Sequence, residues 1–112
     1  LISEFTYQAA KEFIEVRELD TLRVVGRATP IKIYELLGKK GSGNFPKALP
    51  DYLEGLKSYK AQEWQNAIKH FEYALKADPA DGPSNTYLER CRMLLQSPPE
   101  KDWDGVFNLT KK

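Results

Sequence analysis

The sequence predicts an α+β chain: a short helix plus an antiparallel β-hairpin, followed by an all-α segment of three helices. Three observations carry that expectation. Apolar and polar residues alternate between Val16 and Leu37, the period of a half-buried strand. From Leu53 onward apolar residues recur three to four apart, the period of an amphipathic helix. Between the two lies "KKGSGNFPKALP" (39–50), whose Gly-Ser-Gly run and two prolines punctuate structure. The expected organisation is a first segment at 1–38, a linker at 39–50 and a helical segment at 51–112.

Each element has its own signal. "SEFTYQAAKEF" (3–13) reads as a short helix with Ser3 as its N-cap and Phe5, Ala9 and Phe13 on one face. "VRELDTLRVVGRATPIKIYELL" (16–37) reads as strand, turn and strand, with Gly26 to Pro30 supplying the turn. One helix and two or three strands make a poor independent core, and exposed strand edges need covering by other structure or another copy. The first segment is therefore expected to be the closing part of a larger domain.

Downstream, Leu53, Leu56 and Tyr59 share one face of a first helix. Ala67, Ile68, Phe71, Ala74 and Leu75 share a face of a second, and Tyr87, Leu88, Cys91, Leu94 and Leu95 a face of a third. Three such helices with short connections form an antiparallel stack. Pro79 ends the second, and Asp81 with Pro83 restarts the chain as cap and first turn. Pro98 and Pro99 end the third, since consecutive prolines cannot continue its hydrogen bonds. Trp103 and Phe107 are expected to fold back onto the helices.

Composition narrows the function. The 112 residues are 41% hydrophobic and 29% charged, ordinary for a folded protein. Net charge is +1, with seven basic and six acidic residues before Gly41 and ten of each from there on. Neither part makes the basic field of a nucleic-acid binder. The single cysteine, Cys91, rules out an internal disulfide and suits a reducing, cytoplasmic setting. No apolar run approaches the roughly 20 residues of a membrane span, so no membrane contact is expected. "LISEFTYQAA" carries neither an initiator Met nor a signal-peptide pattern and reads as the middle of a longer chain.

Catalytic constellations are scarce. In "GKKGSG" the lysines precede the glycines and no hydroxyl follows a Lys in register, which is not the order of a phosphate-cradling P-loop. The hairpin holds no carboxylate pair, nucleophile beside a base, or metal spacing. Tyr34 and Glu35 read as strand residues packed for structure, His70 as a surface residue and Cys91 as a buried inert thiol. Asp102 and Asp104, between two prolines and Gly105, read as turn and capping carboxylates. "NLT" at 108 matches a glycosylation sequon with nothing to indicate secretion.

The helical segment resembles a tetratricopeptide repeat (TPR), a 34-residue helical pair. Gly55 stands at the close approach, Ala67 and Ala74 at the small positions and Phe71 at the large one. Trp64 stands beside the turn and Pro79 at the end. Gln62 occupies a turn position where that family usually has Gly to reach positive φ, so this corner is expected to be built differently. One full repeat and one helix of a second are evident, which makes the segment TPR-like.

The first 37 residues resemble the C-terminal end of a class III nucleotidyl cyclase catalytic domain. "ISEFTYQAA" is similar to the last helix of that domain. The Arg17-Glu18-Leu19 triplet, Val24-Val25-Gly26-Arg27, Pro30 and Ile33-Tyr34-Glu35-Leu36 are similar to its closing strands. Followed by "EGLKSYKAQEWQNAIKHFEYAL", "LERCR" and "PPEKDWDGV", the series resembles the C-terminus of a bacterial subgroup of these enzymes. The resemblance implies a homodimeric parent that converts ATP or GTP to the 3′,5′-cyclic nucleotide, a phosphorus–oxygen lyase of intracellular signalling. It also implies Mg or Mn in that parent, on two aspartates of earlier strands. Neither those aspartates nor the Asn and Arg of the transition state are in these 112 residues, so no catalytic residue, metal site or cofactor is assigned to them. What carries over is Arg27, in the loop that approaches the terminal phosphates; Val25 stands where a second basic residue is usual.

The helical segment is then a regulatory or protein-interaction tail, docking within the parent or on a protein partner. The alternative is a free-standing TPR-like adaptor. Some adaptors of that type clamp a C-terminal carboxylate with Lys and Asn on the first helix. Here the corresponding face offers Tyr52 and Leu56, the candidate partner-binding residues, which suit an apolar ligand.

Overall fold

A computed structural model of the chain describes residues 1–23, 29–43 and 45–107. The fold is mixed α and β, with four helices and a three-stranded antiparallel sheet among the described residues. The elements are β1 (Ile2–Ser3), α1 (Glu4–Ala10), β2 (Ile14–Leu22), β3 (Ile31–Lys39), α2 (Leu49–Lys60), α3 (Trp64–Ala77) and α4 (Gly82–Gln96). The chain divides into two compact units, one of residues 1–45 with the stretch from Asp104 onward, the other Pro46–Trp103. The passage between them at 45/46 lies within the Gly- and Pro-rich stretch. The segment after α4 divides as well: Trp103 belongs with the helices, while Asp104 to Phe107 belong with the sheet.

In the sheet unit, Ser3 caps α1 by accepting a hydrogen bond from the Thr6 amide at 3.3 Å, the role its sequence position predicts. The helix stops at Ala10, short of the predicted reach to residue 13. The Phe13 amide donates to the Ala10 carbonyl at 2.8 Å in a turn that leads into β2. Phe13 is therefore outside the helix and 70% exposed, and Phe5 is 61% exposed, so their spacing builds no buried stripe.

The strand order is β1-β3-β2, with β3 central and antiparallel to both neighbours. Near the turn Leu22 faces Ile31 and Asp20 faces Ile33; beyond Leu19 the register slips, so that Glu18 faces Tyr34 and Arg17 faces Glu35. A register shift of this kind bends its strand and re-aims the side chains that follow. The ring of Tyr7 on α1 lies 4.6 Å from that of Tyr34, which seats the helix on one face of β3.

The helical unit is built around aromatic rings. Tyr52, Leu56, Tyr59, Trp64, Ala67, Phe71, Tyr87, Leu88 and Cys91 form its core. Phe71 stacks on Tyr87 at 5.5 Å, and Tyr52 meets both edge-on at 5.9 Å. Such pairs add roughly 0.5–1.5 kcal/mol each beyond area burial. On α2 the buried face runs through Tyr52, Gly55, Leu56 and Tyr59, and Leu53, predicted to share it, is exposed. On α3 and α4 the predicted faces hold, apart from Leu95, which is exposed. Asp81 caps α4, accepting from the Ser84 amide at 3.2 Å and the Ser84 hydroxyl at 2.5 Å.

The corner between α2 and α3 departs from expectation. Gln62 itself takes the left-handed conformation, φ +60°, that glycine usually supplies at this position. The turn is closed by the Gln62 amide on the Tyr59 carbonyl at 3.0 Å and the Glu63 amide on the Ser58 carbonyl at 2.9 Å. The corner is thus built in the glycine-like way with a residue that has a side chain to use.

Candidate functional site

Arg27 lies outside the described residues, together with Val24, Val25, Gly26 and Ala28. The strand ends on either side of these residues are described. Leu22 opposite Ile31 is the last described pair of the β2–β3 ladder, and Arg23 beyond it makes an ion pair with Asp104. Asp104 also accepts from the Val106 amide at 3.0 Å, so it closes a tight turn as its sequence context predicts. The Val106 amide, and after it the Arg23 guanidinium, hold the Asp104 carboxyl below the usual aspartate range. The cation of Arg23 is thereby matched to a carboxylate.

Arg17 and Glu35 are the polar pair that sequence reasoning missed. They face each other across β2 and β3, with the Arg17 Nε donating to Glu35 Oε1 at 2.9 Å and a second nitrogen to the same oxygen at 2.5 Å. The Arg17 side chain is 2% exposed and that of Glu35 39%. A buried guanidinium requires such a partner. The signal was present as opposite charges on facing strands, but the slip at Leu19 hides the register from a simple count. Glu35 is thus a structural strand residue, as its sequence position suggested. Tyr34 beside it has its phenol pushed up, first by burial and then by Glu18 and Glu4.

Tyr52 and Leu56 are placed in the core of the helical unit, Tyr52 with no exposed surface. Tyr52 meets Phe71 and Tyr87, so its ring is engaged in holding the three helices together. The exposed large apolar residues of this unit are Leu53, Tyr73, Met93 and Leu95.

His70 is half-buried, its Nδ1 3.3 Å from Asp51 Oδ1. Among the described residues no group of three or more His, Cys, Asp or Glu side chains gathers to hold a metal ion. Cys91 is buried, and burial pushes its thiol up to about 12, which suits the inert role read from its position. No helix among the described residues is long and apolar enough to cross a membrane.

One further constellation was not visible in the sequence. The Gln62 side-chain amide donates to the backbone carbonyls of Glu100 at 3.1 Å and Lys101 at 3.3 Å. The Trp103 ring lies 5.4 Å from Tyr59 and 5.7 Å from Trp64. Sequence spacing cannot reveal it, because 38 residues separate Gln62 from Glu100.

No protein-family profile matches the chain. No solved structure matches it either. Among curated proteins, the chain is similar to a terminal-differentiation specific adenylate cyclase of Dictyostelium discoideum, 30% identical over 97 residues. That alignment covers 81% of this chain and 5% of the cyclase, so the chain spans about one twentieth of its relative's length.

Proposed function

We propose that the chain is the C-terminal part of a class III nucleotidyl cyclase, with a sheet unit from the edge of the catalytic domain and a TPR-like helical unit that regulates or recruits. The observation that carries this reading is the similarity to an adenylate cyclase over 81% of the chain. The sheet unit supports it physically, because Phe5, Phe13, Leu22 and Leu36 are all exposed on a unit with a two-residue edge strand. Exposed apolar surface is what a unit that other structure covers presents. The order of motifs favours an enzyme of bacterial type.

In this reading the parent is a cytoplasmic homodimer that converts ATP or GTP to the cyclic nucleotide. Two aspartates of earlier strands would hold Mg or Mn there, which would supply charge stabilisation for the attack of the 3′-oxygen on the α-phosphate. Arg27 then supplies a cation toward the terminal phosphates, and the residues described here are not catalytic. The helical unit docks within the parent or on a protein partner. Its TPR-like character is supported by the close approach of Gly55 to Phe71 and by the full burial of Ala67 and Ala74.

The test is the coding sequence continuous with Leu1 on its upstream side. Two strand-borne aspartates and an Asn-x-x-x-Arg helix are expected there. The longer protein is expected to release cyclic nucleotide from ATP or GTP with Mg or Mn. A start codon within a few residues of Leu1 would sink the cyclase reading and leave a small TPR-like adaptor.

A further inference from the structure

We infer that the α2–α3 corner is a docking site for a turn-forming, tryptophan-anchored peptide, filled in cis by the chain's own Glu100–Trp103 stretch and, once that stretch leaves, able to take a partner segment of the same chemistry. The inference rests on the helical unit alone and is independent of the cyclase reading.

Four features make the corner a site. Gln62 holds a left-handed backbone that glycine would hold more cheaply, and its side-chain amide reads two successive main-chain carbonyls, those of Glu100 and Lys101. Recognition through carbonyls is indifferent to the side chains between them, and Glu100, Lys101 and Asp102 are indeed exposed. The anchor is Trp103, whose ring meets those of Tyr59 and Trp64. The walls are held from behind: Tyr59 packs on Trp64 at 5.5 Å and on Tyr87 at 4.8 Å, and the turn closes through its own backbone bonds.

Trp103 packs against this core from its margin and is only partly buried. Its backbone amide bonds to the Glu100 carbonyl at 3.0 Å, so the stretch curls on itself as a compact plug. Departure of the plug leaves the rings of Tyr59 and Trp64 in place. The partner that fits has a Trp preceded, two and three residues earlier, by carbonyls free to accept from Gln62. An intramolecular plug competes at high effective concentration, so a partner engages fully only when the plug is released.

The test uses the full chain and a fluorescein-labelled, acetylated peptide, Pro-Pro-Glu-Lys-Asp-Trp-Asp, read by fluorescence anisotropy. The Trp103→Ala chain is expected to bind it about tenfold or more tighter than the unaltered chain, whose plug competes. Adding Gln62→Ala is expected to weaken that binding by roughly threefold or more, the loss of main-chain hydrogen bonds. A Trp103→Ala chain that keeps its helical circular dichroism yet shows no saturable binding overturns the proposal. Should that variant not fold, hydrogen exchange on the unaltered chain decides. The Trp103 amide is expected to exchange about a hundredfold or more faster than those of Phe71 and Ala74, by local opening. Equal rates overturn the proposal, because the plug then leaves only when the helices unfold.

Discussion

A Cβ placed on Gly55 would stand 2.8 Å from the ring of Phe71, closer than any relaxed packing permits. The two helices approach at a point where one residue has no side chain and the other fills the space with a fully buried ring. Gly55→Ala gains about 1 kcal/mol of helix propensity but forces an overpacked contact that costs about 1–3 kcal/mol. Net destabilisation is expected in urea titration. Combining it with Phe71→Leu is expected to cost less than the sum of the two single changes, because the smaller side chain vacates the clash.

Gln62 separates backbone strain from side-chain bonding. Gln62→Ala keeps the left-handed conformation and loses both carbonyl bonds, at about 0.5–1.5 kcal/mol for each bond. Gln62→Gly loses the same bonds and relieves roughly 1 kcal/mol of strain. The glycine variant is therefore expected to be the more stable of the two by about 1 kcal/mol in denaturant unfolding. The reverse order would show that this backbone carries no strain.

The Arg17–Glu35 pair predicts a local effect. Glu35→Ala removes a carboxylate from a nearly buried guanidinium, at an expected cost of about 1–3 kcal/mol, below the fully buried range because Glu35 is partly solvated. Amide exchange along β2 and β3 should quicken accordingly, while exchange in α3 stays unchanged. Glu35→Gln, which keeps an acceptor oxygen, is expected to lose less.

Asp104 gives a pH dependence with a defined sign. Its folded-state pKa lies below the ordinary 3.8, so its contribution is fully present above that value and fades as pH falls through the lower folded value. The Val106 amide signal in NMR is expected to shift in acid with a midpoint below 3.8. Asp104→Asn should abolish that titration.

Cys91 is expected to resist thiol reagents at pH 8 in the folded chain and to react in concentrated urea. A thiol raised to about 12 by burial is protonated at that pH as well as inaccessible. Prompt labelling under native conditions would contradict both.

Much of this architecture was legible because helical period and capping are local. Phe71, Ala74, Tyr87 and Cys91 declare their helix faces, and Ser3 and Asp81 declare the caps. Leu53 misled because its three-residue spacing to Leu56 fits a helix face, while the larger Tyr52 and the adjacent Gly55 set the buried side. What stayed hidden depends on pairing at a distance. The slip at Leu19 brings Arg17 to Glu35, and the strand at Ile2 and Ser3 is too short to show a period. The contact of Gln62 with Glu100 and Lys101 joins residues that no local pattern links. Function was legible only as a resemblance, since Arg27, the one residue it carries over, lies outside the described residues.

The sheet unit is discontinuous in sequence, and this sets the order in which the chain can mature during synthesis. Pro46–Trp103 emerges from the ribosome as one uninterrupted stretch and can consolidate its helices as soon as it is out. The hairpin is made earlier, and Asp104, the partner of Arg23, is translated 81 residues later. A nonsense mutation just after Trp103 would therefore spare the later-born helices and strip the first-born unit of Asp104 and the buried Val106.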